Sequence, residues 1–314
     1  MASQTSTRVA EQPLNVVLRP SSAAEAAYRS TVLAPGFAAD ASLDLRYLGG
    51  KTIPRLTFTN VYLGTWRSAE RSELDRALAA AMSDPQLNNV LAQYFPGPID
   101  STFAGSRVYD GAVEPRVYRD VLEELVTKLD RSGALAGLDL AVSVVCLLLP
   151  HGAVLVDGDS HASGKNEVDS LHGLGGYHGS VHVSRNGSTR ETVYYAVSVY
   201  SEGGNGVVAF PEPWQNVCAT LYHELCEART DPDVADAIRA GATPDAERLL
   251  GWYSPRGGEI GDIPMAESHG EIDLVMQEVP LADGSGTVPI QLMWSNAVSG
   301  PEGPISRPHR ASPR

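Results

Sequence analysis

Cysteine is scarce in this chain: Cys146, Cys218 and Cys226 are the whole supply in 314 residues. An odd number without a Cys-x-x-Cys spacing excludes a disulfide-built scaffold and a cysteine-rich zinc module. Cys146 sits in the run Val144-Val145-Cys146-Leu147-Leu148, where a thiol behaves as a small buried hydrophobe. Cys218 and Cys226 stand two helical turns apart, too far to pair. Long apolar runs are also missing, since the longest, Leu138 to Pro150, is too short to span a bilayer. Residues 1–13 are polar and hold no signal-peptide core, which leads to the expectation of a cytoplasmic protein in a reducing compartment. Basic residues are outnumbered, 24 Lys and Arg against 38 Asp and Glu, for a formal net charge of −14. That balance argues against nucleic acid or an anionic membrane as a main partner.

What is present suits a mixed α/β (α+β) domain with an ample core. Expected elements run from a strand at 14–18 and a helix at 22–30 to a strand over Arg55–Leu63 and a helix over Ser68–Ser83. The helix repeats Leu74, Leu78 and Met82 behind a capping box of Ser68 with Glu70 and Glu73. Further helices are expected over 85–94 and 115–131, a buried strand over 138–149, and a strand over 192–200. Residues 152–187 read as a glycine-rich loop, and 252–262 as a loop carrying Glu259 and Asp262. Strand-like segments follow at 274–279 and 288–294. Residues 1–13 and 299–314 are expected to be disordered tails around one domain, 14–298, with neither internal repeat nor clean linker.

The chemistry concentrates in Tyr222-His223-Glu224-Leu225-Cys226-Glu227-Ala228-Arg229-Thr230-Asp231-Pro232. A helix from about Trp214 to Asp231 gathers Trp214, Val217, Cys218, Leu221, Leu225 and Ala228 into one apolar stripe. His223, Glu224, Glu227 and Asp231 share the adjacent flank, where like charges at i,i+3 and i,i+4 repel. Arg229 projects to the other side, so a cation from elsewhere is the economical remedy. His-Glu-x-x-Glu has the layout of His-Glu-x-x-His, whose i and i+4 side chains hold zinc and whose Glu serves as general base. The competing reading is a solvated acidic helix end.

An ordered set of segments adds to this: Tyr47-Leu48-Gly49-Gly50, Leu63-Gly64-Thr65-Trp66, Gln93-Tyr94, Gly176-Tyr177-His178-Gly179, the His223–Pro232 stretch, Gly258-Glu259-Ile260-Gly261-Asp262, and Gln291-Leu292-Met293-Trp294-Ser295-Asn296. Together they resemble the exordium-like (phosphate-induced protein) family, in its bacterial and fungal form with a His-Glu-x-x-Glu helix. The resemblance implies a zincin-like fold, a twisted mixed sheet over helices, with a metal between the helix and a later ligand. Members of that family are usually secreted and carry cysteines near the Gly-Tyr-His-Gly and Gly-Glu-Ile-Gly-Asp segments. This sequence shows no signal peptide, and no cysteine stands near those segments.

A catalytic zinc needs three protein ligands and an open position. His223 and Glu227 are the first two, and Glu259 is the choice for the third, with Asp231 and Asp262 as rivals. Asp231 could instead orient His223 or cap backbone. Glu224 is the expected base, and His178 or Tyr253 the group that steadies an oxyanion. Oxygen-rich ligation opens the site to manganese, magnesium or calcium beside zinc. The resulting expectation is a metal-dependent, peptidase-like hydrolase acting on a peptide or small molecule. The rivals are a metal-stabilised binding or signalling protein on a zincin-like scaffold, and a metalloenzyme of small-metabolite chemistry. A lesser rival is a serine esterase of the GDS type, built on Gly158-Asp159-Ser160 with Asp169-Ser170-Leu171-His172.

Overall fold

The computed structural model describes residues 33–161, 167–185, 189–241 and 243–312. The elements expected at 14–18 and 22–30, and the tail 1–13, lie outside these residues. The molecule is built on a five-stranded mixed sheet. Its strands are β1 (Arg55–Leu63), β2 (Asp100–Tyr109), β3 (Ser143–Leu148), β4 (Gly176–Arg185) and β5 (Thr189–Ser198), in the spatial order β2-β1-β3-β5-β4. β1 runs parallel to β2 and β3, and β3 parallel to β5, while β4 closes one edge antiparallel to β5.

Both faces of this sheet are covered, which is why β3 is apolar from Val144 to Leu148. Val144, Cys146 and Leu148 point into one core, while Val145 and Leu147 point into the other. The first core is filled by α1 (Ser68–Ser83) and by α3 (Pro213–Thr230), whose Val217, Cys218, Leu221, Leu225 and Ala228 form the expected stripe. The second is filled by Leu122, Val126 and Leu129 of α2 (Arg119–Arg131). All three cysteines are free and buried. No helix among the described residues is long and apolar enough to cross a membrane.

Local chemistry accounts for several departures from the sequence reading. α1 spans the expected residues, but its cap is Arg67 rather than Ser68. The Glu70 carboxylate accepts the Arg67 backbone N–H at 3.3 Å and the Tyr200 hydroxyl at 2.6 Å. α2 starts at Arg119, not Pro115, because Arg116–Tyr118 pairs as a short strand with Val154–Val156. Residues 300–305 are held in place, against the expected disorder. Gly300–Glu302 pairs with Met293–Ser295, and the Ile305 side chain is buried.

The correction with most consequence is β4, which the sequence presents as loop. Gly176 hides the strand pattern, yet a glycine is needed there. A Cβ at 176 would lie 2.2 Å from the Val197 carbonyl oxygen and 2.9 Å from Thr220 Cγ2 of α3. Its absence lets α3 press onto the sheet edge. Residues 252–262 are likewise not all loop: Trp252–Tyr253 pairs with Arg46–Tyr47, and Asp262 opens α4 (Asp262–Glu267).

Arg229 anchors the C-terminal end of α3. Its side chain is fully buried, and it donates to Asn88 Oδ1 at 3.0 Å, the Pro54 carbonyl at 3.0 Å and the Asp100 carbonyl at 2.9 Å. Three neutral acceptors share one desolvated charge, and burial holds its pKa below the usual arginine value. Arg229 therefore does not neutralise the acids of α3. Replacing it with leucine removes all three hydrogen bonds that tie α3 to these segments. Arg229→Leu is expected to destabilise the fold by about 3 kcal/mol, read as a lowered midpoint in urea unfolding.

Candidate metal centre

α3 and β4 face each other with their polar side chains between them. On β4 the period-2 alternation sends Tyr177 and Val181 to the second core, and so sends His178 toward α3. On α3, His223 and Glu227 stack one turn apart, with Glu224 beside them. The loop entering α4 supplies Glu259 and Asp262. Four carboxylates and two imidazoles thus converge, Glu224, Glu227, Glu259 and Asp262 with His178 and His223, and the Asp231 backbone carbonyl stands beside His178.

Glu227 holds the centre together. Its Oε1 accepts the backbone N–H groups of Gly261 and Asp262, both at 3.1 Å. Its Oε2 lies 3.1 Å from His223 Nε2 and 3.5 Å from His178 Nδ1. His178 Nδ1 is also 3.5 Å from Glu224, and His178 Nε2 is 3.7 Å from Glu259 Oε1. His223 Nε2 is 3.9 Å from Glu224 and 3.8 Å from Asp262. Most of these separations exceed a good hydrogen bond. They match the edge of a coordination shell, where ligand atoms ~2.1 Å from a tetrahedral ion lie ~3.4 Å apart.

Each imidazole is oriented from behind. His178 Nε2 lies 3.2 Å from the Asp231 carbonyl oxygen, which takes its N–H, while Nδ1 faces Glu224 and Glu227. Gln291 donates through Nε2 to the Gly261 carbonyl at 2.6 Å, so its Oε1 accepts from His223 Nδ1 at 2.8 Å. His223 Nε2, on the opposite side of the ring, then faces Glu227. This is the backing that metal-binding histidines usually have. Gly261 makes room for the ring, since a Cβ there would lie 2.6 Å from His223 Nδ1.

The donors fall into two groups, each with ligand atoms within 4.8 Å of one another: His178, Glu227 and Glu259, and His223, Glu224 and Glu227. The expected ligand set is therefore rearranged. Glu259 joins His178 rather than His223, so His178 stands among the donors and not as a free helper in a loop. Glu259 Oε1 is buried without a hydrogen-bond partner, an orphan acceptor that a cation would satisfy. The Asp231 carboxylate does not join either group: its Oδ1 accepts the Gly251 N–H at 2.9 Å. Its part is the cap and the carbonyl behind His178. Tyr253 lines the same cavity of about 700 Å³, as do Leu43, Val207, Ile263 and Met276. The place of His178 among the donors and the role of Gln291 were not read from sequence, although both lie in segments that carry the family resemblance. Ser160 Oγ donates to the Asp120 carboxylate and not to an imidazole, which leaves the GDS reading without a base.

Without an ion the cluster is electrostatically strained. Burial raises the Glu224 pKa, and it pushes Glu259 well up with help from Glu227. Burial works against Glu227 as well, but His223 and His178 outweigh it and hold that carboxyl low. Burial also opposes a charged His223, yet Glu227 and Glu224 push it up to about 10. Burial takes Asp231 up to about 8.

No known family model matches the chain, and no curated protein does. Among solved structures, metalloproteinase-II from Bacteroides fragilis aligns with 66% of this chain and 49% of its own, at 14% identity and a TM-score of 0.29. This chain thus spans about half the length of that one. So loose a superposition carries no weight for fold or chemistry.

The pKa shifts set a pH dependence for the metal-free protein. His223, raised from 6.5 to about 10, gives stability that is complete below pH 6.5 and is lost as pH climbs toward 10. Asp231, raised from 3.8 to about 8, loses its favoured neutral form as pH climbs toward 8. Both terms have the same sign, while Glu227 is already fully ionised above its unfolded value of 4.5. Thermal melts in chelator should therefore fall steadily from pH 6.5 to 8. A divalent cation should flatten that slope.

Proposed function

We propose that this chain is a metal-dependent hydrolase, peptidase-like, acting on the carbonyl of a peptide or small molecule. The observation that carries the reading is the group of His178, Glu227 and Glu259, all buried and within ligand reach of one another, with Glu259 Oε1 lacking any other partner. These three side chains would hold the ion. When bound there, a divalent ion polarises a carbonyl and makes a coordinated water more acidic.

The chain's own groups supply the rest. Glu224, buried beside His178 with its pKa raised, takes the proton of the attacking water and returns it to the leaving group. Tyr253, kept protonated by burial, offers its hydroxyl to the developing oxyanion. The apolar walls of the cavity, Leu43, Val207, Ile263 and Met276, would seat a substrate side chain. One imidazole with two carboxylates is a harder donor set than His-His-Glu, so manganese, magnesium and calcium compete with zinc. The exordium-like resemblance is compatible with this reading and remains part of the proposal.

The non-catalytic alternative has one observation in its favour. Glu227 and Asp231 already tie down the backbone of Gly261, Asp262 and Gly251, so a bound ion would also staple these loops to α3. Glu224→Gln separates the two readings. It is expected to keep one tightly bound metal per chain by elemental analysis while peptide or ester turnover falls about 10²–10⁴-fold. Tight metal with no turnover by the unaltered protein would leave the stapling role standing instead.

A further inference from the structure

Glu227 belongs to both donor groups, and Glu224 belongs to the second. We propose that the second group, His223, Glu224 and Glu227, is a weaker cation position that regulates the first by engaging the carboxylate that serves as base. This rests on the hydrolase reading above, and it adds that surplus metal turns the centre off.

Three observations carry it. The Glu227 oxygen that is not bound to backbone faces both imidazoles, at 3.1 and 3.5 Å, so one oxygen can serve two ions. Two-metal sites place their ions ~3.5–4 Å apart, a spacing that one shared carboxylate can span. Neither donor group contains both imidazoles, while each imidazole has its far nitrogen held by its own acceptor, Asp231 for one and Gln291 for the other. The site is therefore prepared twice.

The charge count points the same way. With neutral, ligating imidazoles, the ionised carboxylates of Glu224, Glu227, Glu259 and Asp262 leave two negative charges beside one divalent ion and none beside two. A buried surplus of that size draws a second cation.

Occupancy is sequential for a geometric reason. The first group is wholly buried and includes the orphan Glu259 Oε1. The second lies toward the cavity mouth, where the His223 side chain is 12% exposed and neighbouring Asp262 40% exposed. Its ion shares a ligand already polarised by the first, and the two cations repel. Entry of that ion removes the Glu224 lone pair from proton transfer.

The test is a titration of the chelator-stripped, full-length protein with manganese(II), followed by calorimetry and electron paramagnetic resonance. The expected result is two equivalents, the second at least about tenfold weaker, a difference of about 1.4 kcal/mol. The exchange-coupled signal of a manganese pair should appear only with the second. His223→Ala and Glu224→Gln should each abolish the second equivalent and the pair signal while leaving the first. A single equivalent in the unaltered protein, or a second one that survives Glu224→Gln, overturns this proposal and leaves the hydrolase reading intact. No binding at all overturns both. The measurement on the unaltered protein stands even where a variant fails to fold.

Discussion

A carboxylate buried in the last turn of a helix must find partners for both of its oxygens, and the way Glu227 does so sets the arrangement around it. One oxygen takes two backbone N–H groups from the turn at Gly261 and Asp262, which pins that turn against α3. The other is left facing two imidazoles. Leaving a charge of this kind uncompensated costs several kcal/mol, more than most single contacts in a fold contribute. The loop that brings Glu259 to the centre is therefore placed by Glu227 itself. Sheet and helix then need only hold β4 and α3 close, which Gly176 and the Arg229 anchor on the far side of α3 accomplish.

Periodicity made the helices legible. α1 and α3 bury a stripe at helical spacing along their whole length, and both were readable from the repeat of apolar residues. β1 and β3 were readable for a related reason, β1 from its alternation and β3 from an unbroken apolar run. β2 and β4 were not. β2 lies at the sheet edge, alternating between exposed and half-buried positions, and Gly105 within it has φ +91°. β4 carries glycines at 176 and 179 that look like loop and are instead contacts with α3 and with the Tyr195 ring. Local propensity describes a residue's own backbone. It does not report what another element needs in order to approach.

The same limit divides the centre. The flank of α3 could be drawn from spacing alone, so His223, Glu224 and Glu227 were assigned together, and Glu259 followed from its glycine-flanked turn. His178 was noticed but given the wrong surroundings, because the strand that orients it was missed. Gln291 lay in a segment picked out only for its resemblance. Its work depends on an amide held by Gly261, far away in sequence, and no local pattern signals that. Asp231 shows the reverse case. Its side chain looks like a ligand from spacing, but as the residue that ends α3 it is drawn to the Gly251 N–H, and its carbonyl becomes the useful group.

An ordinary acidic cluster with two histidines would relax by letting each imidazolium donate a short, direct bond to a carboxylate. Here the imidazoles stand mostly 3.5–3.9 Å from the acids around them, with the nitrogen on the outer side taken by an acceptor of fixed direction. Each ring can turn only at the expense of its backing bond, and the His223 ring is further confined by the Gly261 backbone. The side chains are thus kept from collapsing onto one another. A set of donors that is held apart, desolvated and rich in negative charge has its energy lowered most by a cation placed among them, since a cation satisfies every member at once and a proton satisfies one or two. The case for a cation thus rests on how the rings are restrained, even more than on which acids line the space.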